Sequence, residues 1–307
     1  MDRTFNTGGA YIAHRLRFVG FLAFHLSVQL KSIRNFPAKA LNRKAAQPRL
    51  RKQDLAPSTR GTTRKGAPMT EYNYQARHAA PAGVDAQAID QGLRAYMIRV
   101  YQYMMVGLAL TGVVAYATSA TPVLFNAIYG TPLVWVVMLA PVGIAWFGFG
   151  MIDRMSAAAA QMMFWAFAGI MGLSLAYIFQ VYVAADIVRV FFITAATFGA
   201  LSLYGYTTPR SLSAWGSFLF MGVVGLLIAS IVNIFMQSDA LTFAISLIGV
   251  VVFAGLTAYD TQQIKEMYFE GDDGETAGKK AILGALRLYM DFINLFLMLL
   301  RLFANRE

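Results

Sequence analysis

Residues 282–303 read ILGALRLYMDFINLFLMLLRLF, an apolar run with a carboxylate, Asp291, near its middle. The hydrocarbon of a bilayer is about 30 Å thick and takes about 20 apolar residues of α-helix to cross. An ionisable side chain at that depth is costly, and such residues face a bundle interior, a cavity or a partner. On a helix, spacings of 4, 3, 4 and 3 hold Arg287, Asp291, Asn294, Met298 and Arg301 within about 40° of one line. A helix with one polar stripe and apolar residues elsewhere belongs in the middle of a bundle. Part of the stripe has a simpler account: Arg287 and Asp291 are spaced i, i+4 and can pair with each other.

The apolar run just before this one closes on a second carboxylate, Asp260, in GLTAYDTQQIKEMY. Farther back, residues 100–152 carry no charge, enough for two spans and a turn. Residues 155–185, 190–209, 211–238 and 240–259 are also charge-free, each long enough for one span. With 282–303 these make seven. The chain is 57% hydrophobic and 14% charged, far from the average of a soluble domain. The expected fold is therefore an all-α membrane protein. Its transmembrane domain occupies 91–307, with helices near 95–119, 133–152, 158–183, 190–206, 213–235, 240–263 and 279–303.

Residues 1–68 hold 14 Lys and Arg against Asp2 and Asp54, so the basic surplus of the chain lies in this tail. It has the composition of a transit peptide, or of a polybasic segment for anionic lipid or nucleic acid. Equally, translation begins at Met69 and the preceding residues are an upstream extension. Disorder is expected over most of 1–90. Nucleic acid is not an expected partner of the membrane domain, whose partner is the lipid bilayer.

The chain has no cysteine, which excludes disulfides and thiol chemistry. Its three histidines all precede the first span, so no His/Cys cluster exists for zinc, haem or iron–sulfur binding. No resident cofactor is expected. The acidic loop 270–275 (EGDDGE) is too compact for a twelve-residue EF-hand loop. Loop charge sets orientation. Nine Lys and Arg fall on the side of the segment before the first helix, and three on the other, which places the N-terminus in the cytoplasm.

The last two segments are joined by a short loop, so they are antiparallel neighbours and Asp260 and Asp291 fall in the same half of the membrane. Two carboxylates about 4 Å apart at an effective dielectric near 20 repel by about 4 kcal/mol. Both cannot be ionised comfortably, and one proton is shared between them. Losing that proton leaves two charges that call for a cation, and carboxylate oxygens suit Ca²⁺.

The strings TAYDTQQIK (257–265) and LYMDFINLFLMLLRLF (288–303) resemble the signature segments of the Bax inhibitor-1 family of membrane proteins, in its bacterial branch. The resemblance covers about residues 95–305. It implies six helices around a central seventh and a pH-sensitive calcium leak gated by an aspartate pair, here Asp260 and Asp291. These two are also the expected contacts for a transported Ca²⁺. A basic residue of the second helix latches to the pair in the family, and Arg154 of GMIDRM is the position that matches. Arg287, Asn294 and Arg301 form the supporting stripe.

Three other functions compete. An intramembrane aspartyl protease also uses carboxylates on adjacent helices, but its second motif needs Gly-x-Gly-Asp, and here Asp291 follows Leu-Tyr-Met. No enzymatic activity is therefore expected. A non-channel protein that binds and modulates a membrane protease or other membrane machinery is consistent with the resemblance. A proton-coupled transporter is a fourth option, against which count the missing internal repeat and the lack of helix-breaking Gly/Pro pairs mid-span.

Overall fold

A computed structural model of the chain describes residues 82–144 and 149–304. The order is α1 (Ala82–Ala120), α2 (Pro122–Tyr129), α3 (Leu133–Gly143), a 3₁₀ segment (Phe149–Arg154), α4 (Ala157–Leu175) with a 3₁₀ tail (Ala176–Gln180), α5 (Ala184–Thr207), α6 (Ser213–Met236), α7 (Asp239–Met267) and α8 (Gly274–Phe303). Among the described residues there is no strand. Six continuous helices are long and apolar enough to cross a bilayer. The chain is an all-α, multi-pass membrane protein.

The second expected span is where sequence and structure part. The expected unbroken helix 133–152 is instead an eleven-residue α3 containing Pro141, followed by the 3₁₀ turn Phe149–Arg154. Proline removes an intrahelical hydrogen bond and its ring crowds the preceding turn. The α2 and α3 axes are bent by 84° at the break around Gly130 and Pro132. This stretch nevertheless carries the chain from one end of the bundle to the other. Thr111 Oγ1 of α1 donates to Ala168 O of α4, and Gln180 Nε2 donates to Ser119 O farther along, so α1 and α4 run parallel. A parallel pair needs a return between its members.

Two other boundaries move. Helix is present from Ala82, upstream of the start expected near 95; the rest of the segment over most of which disorder is expected, with the Met69 start, lies outside the described residues. Helix α5 starts at Ala184, six residues early, and takes in Asp186 and Arg189, which were expected to form a connection. An acid in a helix's first turn meets the positive end of the helix dipole. Asp186 also pairs with Arg189 at 2.8 Å, one turn on. The true connection is 181–183.

Helix starts follow capping chemistry. Ser156, Ser238 and Asp273 accept hydrogen bonds from the backbone N–H of Ala159, Leu241 and Thr276, opening α4, α7 and α8. Bonds from Thr276 hold the exposed Asp273 carboxyl below the usual carboxylate range. Between α6 and α7 the turn passes through Gln237 at φ 51°, the left-handed region. Asn233 secures it, accepting from Ser238 N and donating to Thr242 Oγ1.

Helix α8 is the axis of the bundle. In its most apolar stretch 94% of residues are buried, against 28–56% in the other five continuous helices. It packs on α1, α4, α5 and α7, while α6 packs on α7 alone among the larger contacts. The expected ring of six around a central seventh therefore has its centre but not its full circle. Outward residues form an apolar belt: Val113, Phe192, Phe218 and Val251 are each more than 60% exposed.

Candidate functional site

Antiparallel packing sets the register between α7 and α8. A Cβ on Gly284 would lie 2.9 Å from Ile264, and one on Gly249 would lie 2.7 Å from Met298, so glycines let the axes approach at two levels. Between those levels Asp260 of α7 meets Asp291 of α8. Both are buried, at 1% and 0% exposure, and their carboxyls are within hydrogen-bonding reach of each other. Arg287, one turn before Asp291, places Nη1 4.0 Å from Asp260 Oδ1 and is itself 8% exposed. That distance is an electrostatic contact rather than a hydrogen bond.

An ionised carboxylate only accepts hydrogen bonds; a protonated one also donates. A hydrogen bond between two carboxyls therefore requires one proton. With it, the group comprises one neutral acid, one carboxylate and one guanidinium, and its net charge is zero. Gaining or losing a proton leaves an unbalanced charge away from water, which costs several kcal/mol.

The basic partner of the pair is thus Arg287 and not Arg154. Arg154 ends the 3₁₀ turn with its side chain exposed, and among the described residues no ion pair joins it to either aspartate. Asn294 lies fully buried on the same stripe, donating to Met290 O at 2.9 Å, while its Oδ1 accepts no hydrogen bond. Arg301 lies at the far end of α8, half-buried and four turns from Arg287.

Several polar residues around the site had no distinguishing mark in the sequence. Tyr101 of α1 is hydrogen-bonded to Ser202 of α5, and Ser202 to Thr261 of α7 at 2.9 Å, next in chain to Asp260. Tyr289 of α8 is bonded to Thr111 of α1 at 2.7 Å and is met edge-on by Phe164 and Phe167. Lone Tyr, Ser and Thr residues are common in apolar helices, so only their placement singles these out. On the loop side, Gln262 donates to Arg210 O and accepts from Leu212 N, tying the α5–α6 turn to α7 half a turn from Asp260.

Calcium takes six to eight oxygen ligands in a stable site. Among the described residues no group of three or more His, Cys, Asp or Glu side chains could hold a metal ion. The pair, already balanced by Arg287, does not fit a resident Ca²⁺. A calcium ion here would be cargo.

Known proteins share this sequence over the membrane domain. The uncharacterized protein RP147 of Rickettsia prowazekii is 48% identical over 221 residues, 72% of this chain and 94% of that protein. The inner membrane protein YbhL of Escherichia coli K12 is 45% identical over 219 residues, 70% of this chain and 94% of YbhL. A Caulobacter vibrioides protein is 41% identical over 251 residues, 78% of this chain and the whole of that protein. Residues 93–307 match the family described as inhibitor of apoptosis-promoting Bax1, and they include both aspartates, Arg287 and every continuous span except the first eleven residues of α1. The chain belongs to the Bax inhibitor-1 family.

Proposed function

We propose that this protein is a pH-sensitive cation leak, passing Ca²⁺, in which the Asp260–Asp291 pair and Arg287 form the gate. The observation that carries the reading is two fully buried carboxyls within hydrogen-bonding reach, with a guanidinium alongside. At one shared proton the group is neutral and α7 and α8 stay closed on it. Acidification adds a second proton and leaves Arg287 without a carboxylate. The unbalanced charge favours a state in which α7 and α8 separate and water reaches the site. The charged and titratable groups facing the pair are Arg287 on α8, Tyr259 on α7 and, from α1, Tyr96 near Arg287.

The setting we propose is the inner membrane, the compartment in the name of the Escherichia coli relative. Loops 155–156, 208–212 and 268–273 would then face the cytoplasm, and the broken stretch between α1 and α4 would count as a seventh crossing.

The test is Ca²⁺ flux into proteoliposomes as a function of pH. Wild-type flux should rise as pH falls. Asp260→Asn and Asp291→Asn, each removing the shared proton, should flatten the dependence. Unchanged acid activation in both variants would overturn the reading. No flux at any pH, together with a stoichiometric membrane partner in the purified material, would replace it with a partner-binding role.

A further inference from the structure

Helices α1 and α5 both pack on α8 but stand apart from each other, and the gap between them opens sideways toward lipid. The groove has a volume of about 1100 Å³ and reaches inward to Phe292 of α8. A second cavity of about 350 Å³ shares Leu108, Gly112, Phe191 and Phe292 with it and extends it toward Leu175 and Ile187. Along α1 the lining runs from Arg94 to Ala115, roughly 30 Å at 1.5 Å per residue, the depth of a bilayer's hydrocarbon. Gly112 of α1 and Gly199 of α5 border this space, and a Cβ on either would meet nothing within 4 Å.

The charge in the groove is confined to one end. Arg94 lies there, and α5 arrives antiparallel with Tyr206 at the same level. Behind Tyr206, Lys265 Nζ donates to Tyr206 O at 2.9 Å and stands 5.0 Å from the centre of its ring. The walls are otherwise apolar, bridged once by the Tyr101–Ser202 hydrogen bond. A partner transmembrane helix, about 10–12 Å across and about 30 Å long, needs on the order of 3000 Å³, well beyond this space. A slender chain with an anionic head does fit.

We infer that the α1–α5 groove is a binding site for an anionic phospholipid, one acyl chain lying along Gly112 and Gly199 and the phosphate at Arg94. The chain replaces disordered lipid against a pre-formed apolar wall, and the phosphate meets a cation at headgroup level. The Tyr101–Ser202–Thr261 bridge runs across the groove to the residue beside Asp260, so an occupant that spreads α1 from α5 acts on the same contacts that hold α7. Occupancy itself does not depend on the leak reading, and its test reads binding alone.

The experiment uses full-length protein in nanodiscs containing phosphatidylglycerol with a photoactivatable acyl chain, followed by mapping of the labelled residues. Label is expected on the α1 and α5 residues that line the groove. Gly199→Phe and Gly112→Phe, which fill open space, should remove it. Gly225→Phe, on the outer face of α6 and also open, should not. Arg94→Gln should lower the preference for phosphatidylglycerol over phosphatidylcholine about fivefold. Thermal unfolding of each variant separates lost binding from lost fold. Label spread evenly over all lipid-facing helices would overturn the inference, as would groove label unchanged in well-folded Gly199→Phe and Gly112→Phe. A single-span protein that co-purifies and shields the groove from label would overturn it in favour of a helix.

Discussion

Arg287 carries the heaviest local consequence. It is buried beside two buried acids, and removing one member of such a group strands the others without a counter-charge, at a cost of about 3–5 kcal/mol. Arg287→Met should therefore lower thermal stability sharply in detergent-solubilised protein. Adding Asp291→Asn should recover a good part of the loss, because the remaining acid can hold a proton and be neutral. Arg154→Ala, at an exposed position, should shift stability by no more than about 0.5 kcal/mol. Equal losses in the two arginine variants would show that Arg154 reaches the pair in the working protein. The sequence made the acids conspicuous, because charge inside apolar runs is rare. It left two arginines to choose between, since both lie within reach of the right half of the membrane. The choice falls to Arg287 because its guanidinium stands 4.0 Å from Asp260, while the Arg154 side chain is exposed.

At the scale of helices, close approach of α5 to α7 depends on Gly205. A Cβ there would lie 2.2 Å from Ala258 O, a backbone atom that cannot turn aside. Gly205→Ala should push the helices apart, cost about 1–3 kcal/mol and break the nearby Ser202–Thr261 bond. Gly199→Ala, two turns away on the same helix and facing open space, should be neutral or stabilising by up to about 1 kcal/mol, since alanine is the better helix former. Melting temperatures of the two variants decide the matter: similar values would mean that α5 and α7 are not held by that contact. Nothing in the sequence sets the two glycines apart. Only the placement of α1, which stands off from α5, distinguishes the glycine that packs from the one that borders a groove.

For the whole molecule the testable property is its sidedness. The chain has no cysteine, so single introduced thiols report topology against a silent background. Ser211→Cys and Gly271→Cys, in the α5–α6 and α7–α8 connections, should react with a membrane-impermeant maleimide only from the cytoplasm. Ser238→Cys and Thr121→Cys, at the opposite end of the bundle, should react from outside. Ser211 and Ser238 labelled from the same side would contradict the crossing of α6. Labelling of the first pair from outside would invert the orientation drawn from loop charge.

Hydropathy and the two acids were enough to establish an all-helical membrane bundle with a polar-striped last helix at its centre. Those properties are local: a span is a length of apolar residues, and a stripe is a spacing along one helix. Four things needed the folded chain: the break in the second segment, the partnership of Arg287 with the pair, the position of α6 outside the ring, and the gap between α1 and α5. Each depends on how far one helix stands from another. That distance is set by side chains meeting across elements dozens of residues apart, which no single stretch of sequence contains.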